Sequence, residues 1–528
     1  MPSPSISRPT LTSLAQLSHV NFRLPNFEFL TDSSRVATPE EIETLNLTHQ
    51  QKSFISGSDF KRIEHISQMN LHLSGIETAA TTSRGIHSLQ AVKIGHGLIE
   101  HLVHNSSDQV TPLAASKVQN IVEQWKKTIG WIMMLHDIAH PPFGHLGETA
   151  LINFGQLLTR RAKNLQSSLP EASRSMRKAA KYFIEFDHDH VADSIIMAPH
   201  NQALMQLDGV DPKFVRNVIC GAPSERKMTR FFQDLKDLCD RLSYLQSDVL
   251  HLNGTSVDSF RAAGGVSKAH NERMPRLHAL CNSLRLLFDP ENPIVYSTSD
   301  AISDFINLRA DHYRLVTFSP ISQFVQHRLM VTLLRSFLQH QEEPLAGNGI
   351  NPHEFAGMTE PQVMKVLKII EPNIRILAEN MAQVFHHEIE CSEPDFRRIC
   401  ESINVLRDDS ERPPAQTYQA GPNGLINFAF FPVDLMDLRN PVSNSLSVFG
   451  TPPIVKSCQF HVHNGGTRLI DKTFMPDGHA ADKTISLCFH SQRNHNLDFG
   501  SLVGQLKDYL LANGARSVVI PNVYSPPR

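Results

Sequence analysis

One segment constrains this 528-residue chain more than any other: His136-Asp137-Ile-Ala-His140-Pro-Pro-Phe-Gly-His145-Leu-Gly-Glu148. It follows Ile129-Gly-Trp-Ile-Met-Met-Leu135, an apolar run that reads as a buried helix. A buried helix that ends in His-Asp must supply partners for both polar groups. Together the pair can offer an imidazole nitrogen and a carboxylate oxygen to one cation. Such a mixed donor set suits Mn²⁺, Fe²⁺, Zn²⁺ or Ni²⁺, and Mg²⁺ where water completes the shell. His140 stands one helical turn after His136, on the same face. Pro141 disfavours a helical conformation at His140, and Pro142 extends the break. The chain is therefore expected to turn there and bring His145 and Glu148 back toward the metal. An isolated His-Asp pair means little. Three histidines and two acids around a Pro-Pro-Phe turn are harder to attribute to packing.

The rest of the chain frames that segment. Helical spacing dominates from about residue 58 to 400, as in Leu89, Val92, Leu98 and Leu102. Gly147–Leu165 has an acid at its start and basic residues at its end, as a helix macrodipole favours. Further helical stretches are expected around 213–251, 301–341 and 360–390, with strand-like alternation nearly absent over this region. Breakers at Glu411-Arg-Pro-Pro and Gly421-Pro-Asn-Gly424 mark a linker. Beyond it, Phe460-His-Val-His and Ile485-Ser-Leu-Cys-Phe489 alternate like strands. Leu502–Ala512 reads as a helix ended by Asn513-Gly514, and Ser517-Val-Val-Ile520 as a strand. The expected architecture is mostly α. An N-terminal extension (1–57, partly disordered) precedes a helical domain (58–410) and a smaller linker and α+β unit (411–528).

Composition excludes some functions. A net charge of −3 argues against the chain as a whole being a nucleic-acid binder. Seven scattered cysteines with no C-x-x-C pair argue against a disulfide scaffold or thiolate zinc site. They fit a reducing compartment, the cytoplasm, although the Ser/Thr/Pro-rich N-terminus leaves export or transit as an alternative. No membrane partner is expected, since no uncharged apolar run is long enough to span one. Arg160, Arg161, Lys163, Arg174, Arg177, Lys178 and Lys181 form a basic run. Its ordinary reading is a solvated helix face; the alternative is attraction of anionic nucleotide or single-stranded nucleic acid.

The central segment resembles the H-D-x-[GA]-H-x-P-F-x-H-x-x-E signature of the HD-domain dGTP triphosphohydrolase family. His136, Asp137, His140, Pro142, Phe143, His145 and Glu148 match it. Other elements of the family follow in order. Arg84-Gly-Ile-His87-Ser-Leu resembles its first metal-binding histidine with a preceding phosphate-binding arginine. Phe60-Lys-Arg62-Ile-Glu-His-Ile-Ser-Gln68 resembles an upstream stretch near sugar and base. Phe186-Asp-His188-Asp-His resembles a segment with a catalytic histidine, and Asp240-Arg-Leu-Ser-Tyr244-Leu-Gln-Ser-Asp248 a D-x-x-x-Y-x-x-x-D helix. Arg309 and Tyr313 resemble, more loosely, a later phosphate- and sugar-binding helix. The resemblance covers about residues 58 to 320.

What it implies is an HD-fold enzyme that hydrolyses a deoxynucleoside triphosphate to deoxynucleoside and tripolyphosphate. His87, His136, Asp137 and Asp240 would hold a divalent metal. Arg62, Gln68, Arg84, Tyr244, Asp248, Arg309 and Tyr313 would contact substrate. His145 is the first candidate for the acid that protonates the departing 5′-oxygen, with Glu148 orienting it. His140 would touch the α-phosphate and His188 would complete the site. The family also implies a homo-oligomer and admits a nucleotide activator. Three alternatives stand beside this reading. One is an HD enzyme cutting another nucleotide phosphoester, though such enzymes generally lack the Pro-Pro-Phe-Gly-His-x-x-Glu extension. A second is a non-catalytic nucleotide-binding protein. The third is a zinc-protease helix through His136 and His140, which the prolines disfavour.

Overall fold

Long amphipathic or wholly apolar stretches become helices that bury their apolar residues in two cores, and the His-Asp segment joins those cores. The computed structural model describes residues 24, 37, 39–68, 82–105, 115–221, 227–247, 265–287, 293–312, 320–342, 349–370, 384–391, 416–419, 425–431, 461–462 and 483–491. Among them the fold is mostly α, and no helix is long and apolar enough to cross a membrane.

The first core is built on three long helices, α4 (Arg84–His104), α5 (Ala115–Leu135) and α11 (Lys227–Ser247), which pack on one another. α4 is buried almost all round, so its polar residues Arg84, His87 and Gln90 lie inside the protein with its leucines. Short helices α1 (Pro39–Glu43), α2 (His49–Ile55) and α3 (Ser58–Ile63) close one side. Thr48 caps α2 in a reciprocal capping box with Gln51. Asp208 accepts from Thr48 Oγ1 at 2.6 Å and from Trp131 Nε1 at 2.8 Å, tying this layer to α5.

The second core forms around Phe154, Phe183, Phe337 and Phe355. It is supplied by α6 (His145–Leu165), α7 (Pro170–Ile184), α14 (Pro320–Glu342), α15 (Pro352–Phe355) and α16 (Glu360–Ile370). The rings of Phe183 and Phe337 meet that of Phe154 edge-on at 5.2 and 5.5 Å, a geometry aromatic quadrupoles favour. Ala139 belongs to the first core and Phe143 to the second. The intervening turn is therefore the seam between them.

Between α7 and α11 run α8 (His188–Ile196), α9 (Pro199–Leu207) and α10 (Pro212–Ile219); α12 (Gly265–Ser283) and α13 (Ser299–His312) follow α11. The exposed residues Lys163, Arg174, Arg177, Lys178 and Lys181 stand on the α6–α7 hairpin, a solvated face.

Strands are more frequent than the sequence pattern suggests. β1 (Arg285–Leu287) pairs antiparallel with β2 (Ile294–Ser297), which pairs in parallel with β6 (His461–Val462). A second, antiparallel sheet has the order β3 (Val384–Cys391), β7 (Lys483–Ser491), β5 (Leu425–Phe431), β4 (Gln416–Gln419). The expected helical stretch over 360–390 is thus corrected: its first part is α16, but Val384–Cys391 is a strand. Val-Phe-His-His-Glu-Ile-Glu-Cys has the β-branched and aromatic content that suits a pleated surface. β6 and β7 fall on the two alternating segments. Leu502–Ala512 and Ser517–Ile520 lie outside the described residues.

Candidate active site and metal centre

The turn at the seam is shaped by its own residues and by one distant carboxylate. α5 ends at Leu135, and His136–Ala139 form turns, so His136 and His140 do not share a continuous helix as a zinc-protease site requires. Phe143 adopts φ 64°, and Gly144 follows with φ 54° and ψ −130°, a combination that favours glycine. A Cβ on Gly147 would lie 2.2 Å from the Pro142 carbonyl oxygen, so α6 can begin this close to the turn only with glycine there. Glu360, buried in the first turn of α16, accepts from Phe143 N at 3.0 Å and from Ser67 N at 2.8 Å. Arg62 donates to the carbonyls of Ile138, His140 and Ala356 at 2.6–3.0 Å. Burial of this guanidinium lowers its pKa to about 10. Arg62 was expected to contact substrate; the structure commits it instead to the backbone of the turn.

Two groups of side chains meet at the seam. In the first, donor atoms of His87, His136 and Asp137, all buried, lie within 4.8 Å of one another. Asp240 on α11 adjoins them, its Oδ1 2.9 Å from His87 Nε2 and 3.8 Å from His136 Nε2. His136 Nδ1 donates to the Met133 carbonyl at 2.7 Å, which turns Nε2 toward Asp137 and Asp240; against burial, these two acids raise the pKa of the imidazole. That Nε2 is buried and has no hydrogen-bond partner, as a metal-ligating nitrogen would be without its ion. His87 Nδ1 meets Ser243 Oγ at 3.1 Å, which in turn reaches Gln90 Oε1 at 3.2 Å. Arg84 NH1 holds Asp137 Oδ2 at 2.5 Å, leaving Oδ1 turned to His136 and His140 at 3.6 and 3.3 Å. Burial alone would raise the pKa of Asp137, but Arg84 and the neighbouring imidazoles push it well below the usual range. Asp240 is likewise lowered against its burial by His136 and His87. Two imidazole nitrogens, one of them without a partner, and two ionised carboxylates fit a divalent cation of the N/O-preferring kind.

The second group is His140, His145, Glu148 and His188. Glu148 divides its oxygens between two imidazoles: Oε2 is 2.7 Å from His145 Nδ1, and Oε1 is 2.6 Å from His188 Nδ1. The His188 amide also donates to Oε1, at 3.1 Å. His188 stacks on His140 with ring centroids 3.8 Å apart, and His145 stands edge-on to His140 at 4.8 Å. Burial disfavours the His188 imidazolium, yet the bond and charge of Glu148 outweigh it and raise the pKa. Glu148 is correspondingly held far below its ordinary value despite burial. His140 moves the other way: burial, with Arg84 and His188 nearby, keeps it neutral. Its Nδ1 is buried without a partner, while its Nε2 faces Asp137. The two groups thus form one continuous row.

Of the remaining substrate candidates, Gln68 has a buried, unpartnered Oε1. Its carbonyl is 3.5 Å from Arg84 NH2. Tyr244 is buried on α11, one turn after Asp240. Asp248, Tyr313 and the Arg309 side chain lie outside the described residues. Ser243 and Glu360 were not found by motif spacing. Ser243 sits inside the Asp240–Tyr244 element but carries no signal beyond its position there, and Glu360 lies over two hundred residues from the turn it supports.

No family model matches the chain. Over short stretches it is similar to deoxyguanosinetriphosphate triphosphohydrolases. It is 30% identical to that of Yersinia enterocolitica over 76 residues, 14% of this chain and 15% of the relative. To that of Yersinia pestis it is 30% identical over 73 residues, 14% of each chain. To that of Serratia proteamaculans it is 29% identical over 76 residues, 14% of this chain and 15% of the relative. The similarity to these hydrolases is local: the matched stretch spans 15% or less of their length.

Proposed function

We propose that this chain is a metal-dependent phosphohydrolase that converts a deoxynucleoside triphosphate to its deoxynucleoside and tripolyphosphate. The observation that carries the reading is the row running from His87, His136 and Asp240 through Asp137 to His140, His188, Glu148 and His145. In this reading the first part of the row would bind the cation and the second would handle protons, and the local similarity to dGTP triphosphohydrolases supports it.

In this proposal His87, His136, Asp137 and Asp240 hold the cation. When bound, it supplies Lewis-acid polarisation of the phosphoryl group under attack. Arg84 keeps Asp137 ionised and its free oxygen aimed inward. His140, whose Nδ1 has no partner, is proposed to touch the α-phosphate, donating to a phosphate oxygen in the form that carries its proton on Nδ1. Water attacks the α-phosphorus and the bond to the 5′-oxygen breaks. His145 gives the departing oxygen its proton, with Glu148 fixing the ring through Nδ1. His188 occupies the other oxygen of Glu148 and, stacked on His140, braces both. Gln68, Tyr244, Asp248, Arg309 and Tyr313 are proposed as contacts to the sugar, base and phosphates of the substrate. Self-association is tested by light scattering.

Incubating the protein with each dNTP singly and with all four together, with Mn²⁺ or Mg²⁺, tests the reading by chromatographic detection of free deoxynucleoside. A His136→Ala, Asp137→Ala double variant runs beside it. Deoxynucleoside released by the wild type alone supports the proposal. Absence of release under every condition refutes it.

A further inference from the structure

A triphosphate brings several negative charges, and both arginines that the motifs nominate near the turn already have partners. Arg62 is bonded to three carbonyls and Arg84 to Asp137. Lys236 differs from them. It lies one turn before Asp240 on α11, in a stripe continued by Tyr244, and only 21% of its side chain is exposed. Its sole ion pair among the described residues is a 3.5 Å contact with Asp237, and it makes no hydrogen bond there. Its Nζ is not among the buried atoms that lack a partner, so the stem is covered while the ammonium reaches solvent, open to an anion. Besides Asp237 in contact with it, the charges of Asp240, at the cation-binding end, and of Asp189, whose Oδ1 is 3.5 Å from His188 Nε2, act on it. Their fields outweigh its burial and keep it charged.

We infer that Lys236 is a polyphosphate-binding residue, placed between the two ends of the row to hold the phosphates beyond the one under attack. This rests on the triphosphohydrolase reading above and adds a contact that the motifs do not nominate. The position follows from helix geometry. One turn displaces Lys236 about 6 Å along the axis from Asp240, and side chains lean toward the helix N-terminus, away from the cation. Arg241 on the same helix is turned to Asp237 at 3.2 Å.

Isothermal titration of inorganic tripolyphosphate and orthophosphate into the full chain tests the assignment, with wild type beside Lys236→Gln and Lys236→Arg. Lys236→Gln is expected to weaken tripolyphosphate binding about ten- to hundred-fold, the range of one hydrogen bond to a charged group. Orthophosphate binding should be unchanged, and arginine should restore most of the loss. Equal tripolyphosphate affinity in wild type and Lys236→Gln, or none in the wild type, overturns the inference. Acetylation footprinting of the wild type needs no variant to fold: tripolyphosphate should protect Lys236, and an unprotected Lys236 overturns the assignment. Turnover of dNTPs in the same preparation separates the two claims. Turnover with Lys236 unprotected removes the inference alone. Protection without turnover of any dNTP keeps the polyphosphate site and removes the triphosphohydrolase reading.

Discussion

Glu360 offers the sharpest test of how the turn is held. Its Oε1 receives the amides of Ser67 and Phe143, and both of its oxygens lie within 2.8 Å of Ser67 Oγ. Replacing it with alanine leaves two buried backbone N–H groups with no acceptor, each costing about 1–3 kcal/mol. The hydroxyl of Ser67 can rotate to another partner and adds little. The expected loss is therefore about 2–6 kcal/mol of unfolding free energy. Glutamine behaves differently. Its carbonyl oxygen can stand where Oε1 stands and keep both amides, while its NH₂ donates to Ser67 Oγ. Only the charge assistance is lost, roughly half the strength of each bond, so Glu360→Gln should retain most of the stability. Urea unfolding of the three proteins, with the slope compared as well as the midpoint, measures both values. A Glu360→Ala protein within 0.5 kcal/mol of wild type, on the order of an ordinary surface change, would show that these bonds do not hold the turn.

Two further outcomes follow from the geometry of the row. Ser243→Ala removes the partner of His87 Nδ1 and should lower divalent-metal affinity by about 10–100-fold; competition with a chelator reads it, and an unchanged affinity would discard the orienting role. The Glu148–His188 pair sets a pH window in the metal-free protein. His188 is raised, so its contribution is complete below its ordinary value of 6.5 and is lost as pH rises through the folded value. Glu148 is lowered, so its contribution is present above its ordinary 4.5 and is lost as pH falls through the folded value. The pair should stabilise most between 4.5 and 6.5, and Glu148→Gln should shift the His188 titration downward by NMR. A His188 titration that does not move would contradict the pairing.

The sequence made the chemistry of the seam legible where it is local. The order of His136, Asp137, His140, His145 and Glu148 around two prolines predicts a turn that folds a helix start back, and the start of α6 does return to the turn: His145 stands edge-on to His140 at 4.8 Å. The helix stops at Leu135, earlier than the prolines alone require. Long-range partners were not legible. Glu360 reaches the turn from 217 residues away, and nothing in its neighbourhood announces that role. Arg62 shows the converse: a motif can nominate a cation for substrate, but only packing reveals that three carbonyls already claim it. Strands such as β1, β2 and β3 were missed because they are short or lie among helical spacing. Their partners β6 and β7, by contrast, were visible as alternation.

The most direct test of the central claim is ³¹P NMR of a dNTP digest run in ¹⁸O-water and chelated before measurement. The account predicts tripolyphosphate carrying one ¹⁸O at a terminal phosphorus, from attack at the α-phosphorus, with unlabelled deoxynucleoside. Orthophosphate with a deoxynucleoside diphosphate, pyrophosphate with a monophosphate, or label in the sugar hydroxyl would contradict it.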